Sequence, residues 1–108
     1  MRLQSHIWVS AFLRAENAAG GYAVVQRRGA SEAGAIFVLQ DHRDGTITVF
    51  GPAPQSMLDE DAGRTFERVL DRVEEARVRE YLDRQMRFDS DCWILETERR
   101  SGDPVNVS

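Results

Sequence analysis

The order of local signals along the chain predicts an α+β domain, with two helices and an antiparallel sheet of four or five strands in the order α-β-β-β-(β)-α-β. Three observations carry that expectation. An apolar helical periodicity opens the chain, strand-forming runs joined by short glycine turns follow, and a charged amphipathic segment precedes one last apolar run. Short turns between consecutive strands favour antiparallel pairing, with both helices on one face. At 108 residues, 42% of them apolar, the chain is long enough for one core and too short for two.

The first helix is placed at residues 5–19. At about 100° per residue, Ile7, Trp8, Ala11, Phe12, Ala15, Ala18 and Ala19 fall within an arc of about 140°, the expected core face. Ser5 is the expected N-cap and Gly20-Gly21 the stop. Residues 22–27 (Tyr-Ala-Val-Val-Gln-Arg) read as a strand. Residues 35–40 are apolar on both faces and so mark a central strand, with Ile36 and Val38 turned to the helices and Phe37 and Leu39 to the other side. Asp44-Gly45, the strongest turn signal, joins that run to Thr46-Ile47-Thr48-Val49-Phe50 in a hairpin. Gly51-Pro52-Ala53-Pro54 ends the third strand because proline cannot donate to a ladder, and residues 55–63 read as an acidic loop. Residues 65–70 are expected to form a short strand. Asp71 or Glu74 then opens the second helix, with Val78, Tyr81, Leu82 and Met86 on one face and Glu75/Arg79 and Glu80/Arg84 as i,i+4 pairs. Residues 88–91 break it, residues 92–98 form the last strand, and a polar tail occupies residues 99–108, leaving residues 1–98 as the domain.

The charge inventory is unusual. All 14 basic residues are arginine, set against 18 acidic ones for a net charge of -4. The planar guanidinium fork suits carboxylates and phosphates, while GC-rich codon drift accounts for the same bias without a ligand. The longest apolar run, residues 35–39, is far short of the ~18 residues that span a bilayer, and no export signal is legible, so a cytoplasmic protein without membrane association is expected. Cys92 stands alone, which excludes an internal disulfide and a cysteine-based zinc site. With both helices on one face, the other would expose an apolar patch, and that predicts a homodimer.

Several short motifs fall in a characteristic order: Ile7-Trp8-Val9; Arg28-Gly29 with Glu32-Ala33-Gly34-Ala35-Ile36; Asp44-Gly45 with Gly51-Pro52; and Phe88-Asp89 with Asp91, Trp93 and Ile94. Together they resemble the alphaproteobacterial domain of unknown function 1491 family over roughly residues 1–98. The resemblance implies a bacterial cytosolic protein of GC-rich organisms and supplies no activity, cofactor or catalytic residue to carry over. It favours drift as the source of the arginines.

The connection between the first two strands is the one candidate ligand site. Arg27, Arg28, Gly29, Ser31 and Glu32 lie where a backbone concavity and two guanidiniums would hold a phosphate or carboxylate. The simpler reading is a hairpin loop whose glycines take positive φ and whose Arg28 pairs with Glu32. Asp89-Ser90-Asp91 and Asp59-Glu60-Asp61 offer oxygen ligands but lack the rest of a calcium loop, so no metal is expected. His6 and His42 are isolated, which weakens a hydrolase reading, and Cys92 reads as a small buried hydrophobe. Trp8 and Trp93 are expected in the core; exposure of either beside Arg27 or Arg28 would instead mark a recognition surface. The leading function is a non-catalytic interaction or regulatory module that binds a protein partner or a small anionic ligand. RNA or DNA binding is the alternative, opposed by net charge, and an enzyme of unrecognised type comes third.

Overall fold

A computed structural model describes residues 3–54 and 64–108, so the expected acidic loop, with Asp59-Glu60-Asp61, lies outside the described residues. The elements are α1 (Ser5–Ala18), β1 (Tyr22–Arg27), β2 (Ile36–Asp41), β3 (Ile47–Pro52), β4 (Phe66–Val73), α2 (Glu75–Phe88) and β5 (Trp93–Glu98). This is the α+β order read from the sequence, with the fifth strand present. No helix among the described residues is long and apolar enough to cross a membrane.

Strand order departs from a simple meander. The sheet runs β1-β5-β2-β3-β4, and β5 pairs antiparallel with β1 but parallel with β2, so the expected antiparallel sheet is mixed, though mostly antiparallel. Both members of the parallel pair are apolar on each face, Ile36 to Leu39 in β2 and Trp93 to Leu95 in β5, as buried parallel strands are. The link from β1 to β2 is therefore not a hairpin loop, because β5 lies between them. The Asp44-Gly45 hairpin is present: Asp44 Oδ1 accepts the Thr46 N–H and hydroxyl, and Gly45 takes φ 89°. Those two bonds hold the Asp44 carboxyl below its ordinary range, the hydroxyl contributing most.

The helices do not share a face. α1 packs with Ile36, Val38, Phe50, Phe66, Trp93 and Leu95, whereas Val78 and Leu82 of α2 pack with Phe37, Leu39, Val49 and Ile94 on the other side. The alternation of β2 was legible, but a strand apolar on both faces demands a layer on both, and α2 supplies the second. The patch invoked for a homodimer is thus partly covered.

α1 also buries a different stripe from the one expected. Ser5, Val9, Phe12 and Glu16 are buried, while Ile7, Ala11 and Ala15 face solvent. Alanine loses little when exposed, so an alanine-rich arc is a weak guide to burial. The two polar members are matched: Glu16 accepts from the Thr97 hydroxyl at 2.7 Å and from Arg99 Nη1 at 2.8 Å, and Ser5 Oγ donates to the Gly34 carbonyl at 2.7 Å. The N-cap is Gln4 rather than Ser5, and it makes no side-chain cap. The Ser5 and His6 N–H groups instead donate to the carbonyls of Glu32 and Ser31.

Residues 99–108 fold back onto the α1 face. Gln40 Nε2 donates to the carbonyls of Arg99 and Gly102, Phe66 N–H donates to Asn106, and Val105 and Val107 pack against the core. Removing the carboxylate that ties α1 to β5 and Arg99 leaves a buried hydroxyl and a guanidinium unpaired. Glu16→Ala is expected to lose roughly 2–3 kcal/mol in urea unfolding, with Glu16→Gln losing less because it still accepts from Thr97; equal stability of Glu16→Ala and wild type would refute the assignment.

Candidate functional site

The residues singled out in sequence do come together, as a clasp. Arg27 Nη2 donates to the Ser90 carbonyl at 2.7 Å, the Arg28 guanidinium lies 5.3 Å over the Trp93 ring, and Trp93 Nε1 donates to the Ala30 carbonyl at 2.8 Å. The Ser31 and Glu32 carbonyls receive the α1 N-terminus, as described above. Neither Gly29 nor Gly34 has positive φ; each is glycine because the turn before β5 presses against it. A Cβ on Gly29 would stand 2.2 Å from the Asp91 carbonyl oxygen. Arg28 stacks on Trp93, and no Arg28–Glu32 ion pair is present among the described residues. Trp93 is 2% exposed and belongs to the core, and the half-buried Trp8 packs against it, stacking on Phe12 and tilting against Phe66. Asp89 Oδ1 accepts the Asp91 N–H, a turn-forming role.

One constellation escaped sequence reading. His42 Nε2 lies 2.7 Å from Thr48 Oγ1, which also donates to Asp71 Oδ1 at 3.0 Å. The arrangement has the parts of a nucleophile and base, but Thr48 is 1% exposed and His42 Nδ1 lies 3.2 Å from the Arg100 carbonyl. The hydroxyl is buried and fully engaged by these partners, and the group acts as a clip that holds β2, β3, β4 and residues 99–108 together. Cys92 is wholly buried, and burial pushes its thiol up, the opposite of an activated nucleophile.

A further concavity lies elsewhere. α2 packs over β3 and β4 and reaches Leu39 and Ile94 with Val78 and Leu82, and beside it lies a cleft of about 400 Å³ lined from β1, β2, β3 and β5. Its floor is Leu39 and Ile94, one wall is Val78, Leu82 and Met86 of α2, and its rim carries Asp41, Glu75, Asp83 and Glu96, with Gln26 toward β1. Arg79, the cation on the rim, is engaged by Glu75 at 3.1 Å, and Glu98 on the same strand face as Glu96 is engaged by Arg43. Glu96 is held above the ordinary glutamate range by burial first, then by the charges of Asp41, Glu98 and Glu75. The cleft therefore pairs an apolar floor with an excess of negative charge. Sequence reasoning missed it because its carboxylates are scattered along the chain and meet only through the strand order.

Two outcomes follow from this geometry. Gly29→Ala is expected to destabilise by roughly 2–3 kcal/mol through overpacking against backbone, with a fall in urea midpoint as the readout; an unchanged midpoint would show that the clasp yields freely. For Glu96, the raised value means the fold favours the protonated form, so its contribution is present below the unfolded glutamate range and is lost as pH rises through the folded value. Glu96→Gln should stabilise at neutral pH by less than about 1 kcal/mol after solvent screening, with the difference vanishing in acid. Paired thermal melts across pH 3 to 8 check it, and a variant less stable at neutral pH would contradict it.

The relatives agree with the fold. A family model described as "Protein of unknown function (DUF1491)" matches residues 3–106. The solution structure of an A. tumefaciens protein is 46% identical with a TM-score of 0.88, covering 99% of this chain and 95% of that one. The crystal structure of a DUF1491 family protein from Caulobacter crescentus is 31% identical with a TM-score of 0.80, covering 100% of this chain and 99% of that one. An NMR structure of a DUF1491 family protein from the same organism is 32% identical with a TM-score of 0.78, covering 100% and 98%. No curated protein matches the sequence.

Proposed function

The chain belongs to the DUF1491 family, and from that premise we propose that it acts as a non-catalytic interaction module in the cytoplasm, taking a protein partner in the cleft beside α2. The observation that carries this reading is a cleft beside α2 that combines an apolar lining with an acidic rim. Apolar surface rimmed by charge is the common anatomy of a protein-binding patch.

Competing readings fit the geometry less well. A small anion at residues 27–32 would have to detach Arg27 from the Ser90 carbonyl and Arg28 from Trp93, and the cleft itself repels anions and nucleic acid alike. A hydrolytic role would need Thr48 or Cys92 to reach solvent, and both are sealed. Homodimerisation through this face would bring two acidic rims together, which like-charge repulsion opposes.

The test uses the tagged full chain under native conditions, comparing wild type with an Asp41→Lys, Glu96→Lys double variant and with Glu32→Lys on the distant clasp. A partner retained by wild type and by Glu32→Lys, and reduced at least about fivefold by the double variant, supports the cleft. Equal retention by all three chains would overturn it.

A further inference from the structure

The opposite flank of α2 carries a different chemistry from the cleft. Between the last two turns of this helix and strands β3 and β4 lies a pocket of about 300 Å³, lined by the rings of Phe37, Tyr81 and Phe88 with Val69, Glu67 and Asp89. The sheet makes room for it at Gly51, the β3 residue paired with Glu67 of β4. A Cβ at Gly51 would stand 3.1 Å from Phe37 Cε1 and 3.4 Å from Val69 Cγ1. The missing side chain therefore lets the Phe37 ring and Val69 close in, and leaves the space above them open.

The three rings differ in how much surface they present. Phe37 is buried and meets Tyr81 edge to face, with centroids 6.1 Å apart and planes at 77°. Tyr81 is half-buried. Phe88 ends α2 at the rim of the pocket and is 86% exposed, the highest value among the exposed large apolar side chains described. A lone exposed phenylalanine is ordinary. Here it completes a set of rings around a space, with Phe37 as the floor and Tyr81 and Phe88 as the accessible walls.

The electrostatics of this space have one sign. Glu67 and Asp89 are its charged lining residues; neither makes an ion pair among the described residues, and no arginine or histidine lines the pocket. Asp89 Oδ1 accepts the Asp91 N–H, which orients that carboxylate. Gln85 and Phe88 come from the last turn of α2, so the negative end of the helix dipole adds to the two carboxylates. Burial, and then the charge of Glu67, push the Tyr81 phenol up and keep that ring neutral; Arg77, which acts in the opposite sense, is engaged by Glu80 at 3.5 Å. Anions are repelled here. A divalent metal ion, which takes about six oxygens, would find two carboxylates set among carbon. We propose that this pocket is a site for an alkylammonium group, its charge held by Glu67 and Asp89 and its methyl groups lying against Tyr81 and Phe88 over the Phe37 floor. The site is separate from the acidic cleft, and it goes beyond the interaction-module reading without depending on it.

The probe is choline, titrated into the full chain and followed by backbone amide NMR shifts. Its uncharged isostere, with a tert-butyl group in place of the trimethylammonium, is titrated in parallel, as is a short glycine–serine peptide carrying one trimethyllysine. Choline is expected to move the Gln85, Phe88 and Asp89 amides and to bind at least about fivefold more tightly than the isostere. Phe88→Ala removes a ring that the fold leaves in water, and Glu67→Gln neutralises an exposed carboxylate, so neither disturbs the core. Each should weaken choline at least about threefold, and Glu32→Gln should not. The peptide distinguishes two sources of the cation, both of which support the site: binding as tight as choline's assigns it to a protein side chain, and weaker binding to a free small amine. Equal binding of the isostere reduces the pocket to an apolar cavity and overturns the proposal. Unchanged choline affinity in either pocket variant, or no shift with choline and peptide alike, also overturns it. So do shifts centred on Asp41 and Glu96, which would put the cation in the acidic cleft instead.

Discussion

The parallel pairing of β5 with β2 is the constraint on which the rest of this molecule depends. Six register pairs, from Ile36 with Trp93 to Asp41 with Glu98, place the last strand in the middle of the sheet rather than at its edge. Because successive side chains of β5 point to opposite faces, Trp93 and Leu95 join the core under α1 while Ile94 joins the one under α2. Each layer is therefore anchored to the same strand. The clasp serves this insertion: the Ala30 N–H and the Asp91 carbonyl are bonded at 2.9 Å, and Trp93 Nε1 is fixed to Ala30, so β5 enters against the connection that also receives the start of α1. Such pairing is non-local, and loop closure has to precede it.

The sequence disclosed those parts of the fold whose causes are local. α2 was legible down to its buried face, since Val78 and Leu82 are large, regularly spaced and set among paired charges. The β2–β3 hairpin was legible because Asp44-Gly45 fixes its geometry within four residues. What was not legible has non-local causes. The buried stripe of α1 includes Ser5 and Glu16, which are tolerated inside only because Gly34, Thr97 and Arg99 come from distant segments to meet them. The alanines that drew the helical wheel toward the opposite side lose almost nothing in water. Likewise the separation of the two helices onto opposite faces follows from β5 entering between β1 and β2, which no window of the sequence reports.

The same distinction explains the site. Arg27, Arg28, Gly29, Ser31 and Glu32 stood out because they are contiguous, and contiguity here reflects a structural clasp. The cleft is drawn from β1, β2, β3, α2 and β5, so its acidic rim has no motif. Only strand order brings Asp41 opposite Glu98, and so onto the same face as Glu96, across the parallel β2–β5 pair. Glu96 is also held with its charge disfavoured, and a charged group held that way lowers stability at neutral pH. Local conflict of this kind concentrates at surfaces that meet something else.

The arginines complete the argument. Arg43, Arg68, Arg72, Arg77, Arg79, Arg84 and Arg99 each pair with a carboxylate, Arg27 holds a backbone carbonyl, and Arg28 lies on Trp93. Several of these contacts join segments far apart in the chain, such as Arg99 with Glu16 and Arg68 with Asp103. A lysine-free composition thus serves as a set of internal fasteners, in which the guanidinium fork is directed at the protein itself. With these nine arginines committed in this way, three carboxylates outside the ion pairs, Asp41, Asp83 and Glu96, lie around the cleft beside α2. A surplus of carboxylates there is stable while water or a cation stands against it. That surplus also opposes a contact between two copies of the same acidic cleft.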